Sequence, residues 1–168
     1  HQAASKGIAD AVDALLAAGA DWQLKDNHGY TALDHAAVNH HRAVVERLLA
    51  KGAEFVRTRT DGGGAGALHW TAAMGLHAEV QKLLAQGYPV DARDKSGWTP
   101  LYFASFYGHT EVVETLLAAK ADATLKDPTG QNAVNRAAVA FRSEELEKVF
   151  ETAGSELNRV QSLLRVGD

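Results

Sequence analysis

Large apolar residues recur along this chain as an adjacent pair preceded three residues earlier by a third. The trios are Val12/Leu15/Leu16, Val45/Leu48/Leu49, Val80/Leu83/Leu84, Val113/Leu116/Leu117 and Leu146/Val149/Phe150. An i, i+3, i+4 spacing puts three side chains on one helix face. The final members lie 33, 35, 33 and 33 residues apart. Two further markers keep that step: Leu33, Leu68, Leu101 and Val134, and Gly29, Gly64, Gly97 and Gly130, both at 35, 33 and 33. Gly19, Gly52 and Gly87 follow the apolar pair by three residues, where a helix C-terminus takes a left-handed residue. Ahead of the last four trios is a small pair: Ala36/Ala37, Thr71/Ala72, Ala104/Ser105 and Ala137/Ala138. These predict a first helix pressed close to its partner. Thr99 and Pro100 supply an N-cap and a first helical turn. The pattern predicts repeated helix pairs, each unable to bury its stripe alone and able to do so beside a neighbour.

The stretch "GWTPLYFASFYGHTEVVETLLAAKADATLKD" carries a Thr-Pro-Leu start, a Gly-His turn, a Val-Val pair, a Leu-Leu pair and a closing Ala-Asp. With "HGYTALDHAAVNHHRAVVERLLAKGAE" and "ALHWTAAMGLHAEVQKLLAQG", it resembles the ankyrin repeat over about residues 1–152. The resemblance implies an all-α repeat solenoid. It would hold about five helix-turn-helix units with short β-hairpin fingers at right angles, plus an additional C-terminal helix. The units fall at about 1–25, 26–60, 61–93, 94–126 and 127–152, the first incomplete. His1 stands in register with the Leu-His histidine of the family, and "HQAASKG" is polar enough to face water as a cap. Residues 153–168 are expected to form a capping helix, with Ser155 as N-cap and Leu157, Val160 and Leu164 on one stripe. A linker helix toward a further domain is the alternative. The fifth unit is eroded: Asn132-Ala133-Val134-Asn135 replaces Thr-Pro-Leu-His, and Phe141-Arg142 replaces Gly-His.

Composition narrows the function. The chain has 168 residues, 46% hydrophobic and 23% charged, as in an ordinary folded domain. A net charge of −4 lacks the basic footprint of a nucleic-acid binder. The absence of cysteine excludes a disulfide scaffold, a zinc–thiolate site and a thiol nucleophile. No apolar run reaches the roughly 18–20 residues of a membrane span, and no basic-then-apolar start resembles a signal peptide. These features fit a cytoplasmic location, although a targeting segment upstream of His1 stays open.

Three patterns tempt a chemical reading. "DGGGAGA" at Asp61–Ala67 follows two additional residues, about Arg59-Thr60, and places glycines at 62, 64 and 66. A dinucleotide fingerprint needs glycine where Ala67 stands, and a phosphate loop needs Gly-Lys-Ser/Thr. The run reads instead as a lengthened finger suited to contact. Of eight histidines, His1 and His69 fall in the Leu-His slot, and His41 and His109 in the Gly-His slot; both are structural by resemblance. Asp26, Asp61, Asp94 and Asp127 recur at the start of each finger turn, where Asp bonds its own backbone. No catalytic residue, cofactor or metal site is expected, and the chain is read as non-enzymatic.

What remains is a surface. By resemblance the finger tips and the open side of the first helices line a concave groove. Its exposed slots here hold Tyr30, Val38, Asn39, Met74, Trp98, Phe106 and Tyr107, with Ala73, Gln131, Val139 and Ala140 beside them. Phe103 is read as a wedge between units and Tyr102 as structural. Exposed aromatics and Met ringed by polar residues are hot-spot material. Arg59, Arg93 and Lys95, with Lys25, Arg57 and Lys126, give the finger tips a basic rim. The reading is an interaction module for a protein or peptide carrying an acidic segment and an apolar side chain. The alternative is a targeting or regulatory segment of a larger enzyme, channel or secreted bacterial effector.

Overall fold

The computed structural model describes residues 1–55, 60–140 and 148–154. The chain forms two compact bodies, 1–70 and 71–168. The first contains α1 (Gln2–Ser5), α2 (Ala9–Ala17), α3 (Ala32–Val38) and α4 (Arg42–Ala50). The second contains α6 (His77–Ala85), α7 (Pro100–Tyr107), α8 (Thr110–Ala118) and α9 (Ala133–Ala140). Helix α5 (Ala67–Ala73) gives four residues to the first body and three to the second. Residues 148–154 are helical and contain Phe150, which is buried. The expected capping helix lies almost wholly outside the described residues.

The repeat is realised as pairs of short helices. In the first body α1 packs on α2 and α3, and α4 on α2 and α3; in the second, α7 packs on α8 and α9, and α6 on α8. The small pairs that lie in described side chains, Ala36/Ala37, Thr71/Ala72 and Ala104/Ser105, are fully buried, so the helices approach with nothing larger between them. Leu48, Leu83 and Leu116 occupy one slot of the trio and are at most 1% exposed. Each such side chain contributes roughly 2–3 kcal/mol of burial. Leu15 holds the same slot in α2 and is 50% exposed. Ile8 and Leu24 are also exposed. Within "HQAASKG" the polar His1, Gln2 and Lys6 are exposed, and the exposed Ile8, Leu15 and Leu24 add apolar surface beyond that segment.

Helices α3, α5, α7 and α9 open with a side-chain cap between the N-cap residue and the residue three further on, reciprocal in α3 and α9. Thr31 Oγ1 accepts from the Asp34 amide at 3.2 Å while Asp34 Oδ2 accepts from the Thr31 amide at 2.9 Å. Thr99 Oγ1 accepts from the Tyr102 amide at 3.2 Å, with Pro100 in the first turn. His69 Nδ1 accepts from the Gly66 amide at 3.1 Å. Asn132 Oδ1 accepts from the Asn135 amide at 2.9 Å, and Asn135 Oδ1 is 3.4 Å from the amide it would satisfy on Asn132. The fifth unit therefore keeps its cap with different residues. It does lose packing at Val134, which is exposed where Leu33, Leu68 and Leu101 are buried.

Second helices begin at a left-handed residue followed by a turn. Gly7, Gly75 and Gly108 hold that position with φ of 68°, 68° and 74°, and His40 holds it with φ 56°. His41 Nε2 meets the Ser5 carbonyl at 2.9 Å, and His109 Nε2 meets the Ala73 carbonyl at 3.0 Å. Each imidazole lies flat against the glycine one unit earlier: a Cβ on Gly7 would sit 2.5 Å from His41, and one on Gly75 2.6 Å from His109. The Gly-His step is thus a packing pair across 34 residues.

Candidate interaction surface

The fingers set the frame. In all four, the Asp carboxylate turns back on its own loop. Asp26 Oδ1 accepts from the amides of His28 and Tyr30, Asp61 Oδ1 from Gly63 and Ala65, Asp94 Oδ1 from Ser96 and Trp98, and Asp127 Oδ1 from Thr129 and Gln131, at 2.8–3.0 Å. The Asp amide donates to the carbonyl four residues on, and the glycine three residues on donates to the Asp carbonyl. These are tight Asx turns. Among the described residues the only strand-like pairing is a single bridge between Thr60 and Gly66, so the expected β-hairpin fingers are turns. The side chain consumes the amide hydrogens that a longer ladder would need. The glycine-rich finger obeys the same rule. Its amides already hold the Asp61 carboxylate, which leaves no phosphate cradle.

The second carboxylate oxygen reaches toward the first helix, nine residues on. Asp26 Oδ2 is 2.8 Å from His35 Nε2. Asp61 Oδ2 accepts from Trp70 Nε1 at 3.3 Å. The Tyr30 amide, ahead of an opposing effect of burial and then the His35 ring, holds the Asp26 carboxyl at about 2, below its ordinary 3.8. The Asp127 carboxyl is lowered chiefly by the Thr129 hydroxyl. Its Oδ2 accepts from Trp98 Nε1 of the preceding finger at 3.2 Å.

That bond explains the placement of Trp98. The open slot predicts exposure, but Trp98 is half-buried, stacked on Tyr102 at 5.0 Å and edge-on to Phe103 at 5.6 Å. Its indole joins two fingers, a structural task. Tyr102 is buried, as read, and burial raises its phenol above the usual value while the charge of Arg136 works against the rise. Phe106 and Tyr107, at the end of α7, are 36% and 41% exposed and meet edge to face at 4.9 Å. Tyr107 also lies over the His109 ring at 6.4 Å.

Other sites in the sequence reading divide. Met74 and Ala73 are buried, Met74 being 5% exposed, which corrects their assignment to an open surface. A flexible thioether chain with no polar end has nothing to hold it toward water and folds into the packing. Asn39, in the matching slot, is exposed and donates to the His35 carbonyl at 2.8 Å. Val38 is half-buried. Tyr30 is half-buried and its hydroxyl donates to the Thr60 carbonyl at 3.0 Å, tying two fingers. Arg93 is exposed, but its guanidinium donates to the Lys126 carbonyl and so bolts its finger to the next. Lys95 is exposed. Arg59 lies outside the described residues, as do Arg57 and the side chains of Val139 and Ala140.

One residue was missed. The guanidinium of Arg136, on α9, lies 4.9 Å from the Phe106 ring centroid and 5.6 Å from that of Tyr102. Two rings under one cation stabilise it by roughly 0.5–2 kcal/mol. Its sequence signal was available: Arg136 follows Asp127 by nine, as His35 follows Asp26 and Trp70 follows Asp61. Within the second body, α7 and α9 thus present Phe106 and Tyr107 beside Arg136, a partly open aromatic face with a cation set into it.

No helix among the described residues is long and apolar enough to cross a membrane, and no cluster of three metal-ligating side chains occurs among them. Comparison with known proteins matches the family of ankyrin repeats, in three copies, to residues 1–59 and 56–127. The chain is 39% identical over 69 residues to calmodulin-binding transcription activator 3 of Arabidopsis thaliana, covering 40% of this chain and 7% of that one. It is 30% identical over 163 residues to a probable E3 ubiquitin-protein ligase of Oryza sativa subsp. japonica, covering 77% and 32%. It is 31% identical over 135 residues to a palmitoyltransferase of Lachancea kluyveri, covering 79% and 18%. The chain therefore spans less than a third of each of these relatives. With the 33-residue step, the paired helices, the capped first turns and the Gly-His packing already in view, the family match completes the argument: this chain belongs to the ankyrin-repeat proteins.

Proposed function

We propose that this chain is a non-enzymatic interaction module that binds a protein or peptide on the face formed by α7 and α9. The supporting observation is the exposure of Phe106 and Tyr107 beside Arg136. Two adjacent aromatic rings at more than a third exposure are expensive to leave in water and are the residue types that dominate binding energy at interfaces. The rest of the molecule supplies rigidity. Capped helices, Asx-locked fingers and cross-unit histidines hold the face in place before a partner arrives, which lowers the ordering cost of binding. Trp98 stacks on Tyr102, whose ring shares the Arg136 cation with Phe106, and Arg93 ties its finger to the next.

The test is partner capture from a lysate of the source cells by this chain and by the Phe106→Ala/Tyr107→Ala variant, with folding checked by circular dichroism. A partner held by the parent and lost by the folded variant supports the reading. Equal capture by both removes the α7–α9 face from consideration.

A second reading draws on the length of the relatives. In it these repeats target or regulate an activity carried elsewhere in a larger protein. An endogenous product well above 17.9 kDa would favour it, and one of that mass would count against it.

A further inference from the structure

We infer that Arg136 is a carboxylate receptor, so that the module selects peptides bearing an Asp or Glu next to an apolar side chain. This rests on the α7–α9 face being the binding surface and names what that face reads. The first observation is a broken pattern. In the first body, His35 stands nine residues after Asp26 and pairs with its carboxylate at 2.8 Å. Arg136 stands nine residues after Asp127 and has no such pair. Trp98 Nε1 has taken Asp127 Oδ2, and the other oxygen holds the amides of Thr129 and Gln131 and the Thr129 hydroxyl. Asp94, the other carboxylate facing Tyr102, is likewise bound to the Ser96 and Trp98 amides. Among the described residues Arg136 forms no ion pair.

The second observation is the state of the side chain. Its Nε is buried and has no hydrogen-bond partner among the described residues. The guanidinium rests on Phe106 and Tyr102, which fixes its plane. A half-buried arginine held by rings and lacking a counter-ion has already lost part of its hydration. A carboxylate meeting its outer nitrogens would recover that loss as a charge-assisted pair, and a planar guanidinium held in place suits the flat carboxylate group. The neighbouring surface fixes the rest of the ligand. Phe106 lies under the cation with Tyr107 edge-on to it, and both exposed rings suit an apolar side chain adjacent to the acid, while the exposed Lys95 adds positive charge on the finger. An acidic peptide fits this surface by charge; a basic one would face Arg136 directly.

The probe is a random linear peptide library displayed on phage and selected on the immobilised chain, with the Phe106→Ala/Tyr107→Ala variant as counter-selection. One enriched sequence is then synthesised with its Asp or Glu and with the matching Asn or Gln. Both peptides are titrated by calorimetry into the parent and Arg136→Gln, with folding of the variant checked by its thermal midpoint. The expected result is an acid next to an apolar residue in the enriched set. Acid-to-amide replacement should weaken binding to the parent about tenfold and change binding to Arg136→Gln by less than about twofold. Enriched apolar peptides with no acid, or an acid effect equal on both proteins, overturns the carboxylate assignment and leaves the binding face intact. Absence of any enrichment over the counter-selecting variant overturns both.

Discussion

Lys120 and His40 show how a single residue departs from the repeat at a measurable cost. Both adopt positive φ, 68° and 56°, in positions that glycine holds in other units. A side chain there costs roughly 1 kcal/mol, since Cβ crowds the carbonyl. Lys120→Gly should therefore raise the urea midpoint, by about 0.5–1 kcal/mol of stability; an unchanged or lower midpoint would mean the lysine makes compensating contacts. The converse experiment separates backbone strain from packing. Gly19 and Gly75 both have positive φ, but a Cβ on Gly19 meets nothing within 4 Å whereas one on Gly75 meets the His109 ring. Gly19→Ala is expected to cost about 1 kcal/mol and Gly75→Ala at least about 2, from strain plus overpacking. Thermal denaturation of both resolves the difference, and equal costs would refute the cross-unit packing role of His109. These glycines were legible in the sequence because their spacing repeats. The histidine that Gly75 faces was legible only as a slot, since the two lie 34 residues apart.

At the scale of elements, apolar spacing told which helices exist but not which faces are covered. Val12, Leu15 and Leu16 read the same as the later trios, yet Leu15 is half exposed and Leu48 is not. Burial depends on a neighbour, which a repeat pattern describes only on average. Leu48→Ala or Leu116→Ala should cost about 2–5 kcal/mol and Leu15→Ala less than about 1, by chemical denaturation. Similar losses at all three would show that Leu15 is covered in solution. The fingers add a dependence on pH. The carboxyls of Asp26 and Asp127 have folded values below 3.8, Asp26 about 2. A depressed folded value means that the turn contributes stability above the ordinary value, and that the contribution is lost as pH falls from about 4 toward 2. The denaturation midpoint should drop across that window, and Asp26→Asn should show a shallower drop. A parent profile flat between pH 5 and 2 would contradict the Asx turns. The sequence marked these aspartates correctly, and it could not show that their amide bonds replace a β-ladder.

For the molecule as a whole, the family was readable from residues because period, turn chemistry and caps all agreed. The surface was readable only in part. Phe106 and Tyr107 are exposed as the slots implied, Trp98 and Met74 are not, and Arg136 escaped notice because the fifth unit looked eroded. A slot fixes where a Cα lies. Whether an indole stays open depends on whether a carboxylate such as Asp127 comes within its reach. The account rests on one claim, that a partner docks on α7 and α9. Site-specific photo-crosslinking tests it most directly: a photoreactive phenylalanine analogue placed at Tyr107, and separately at Glu114 on the exposed side of α8, irradiated in a lysate of the source cells. The account predicts a discrete adduct from position 107 that is absent from position 114. An adduct from position 114 and none from 107 would contradict it.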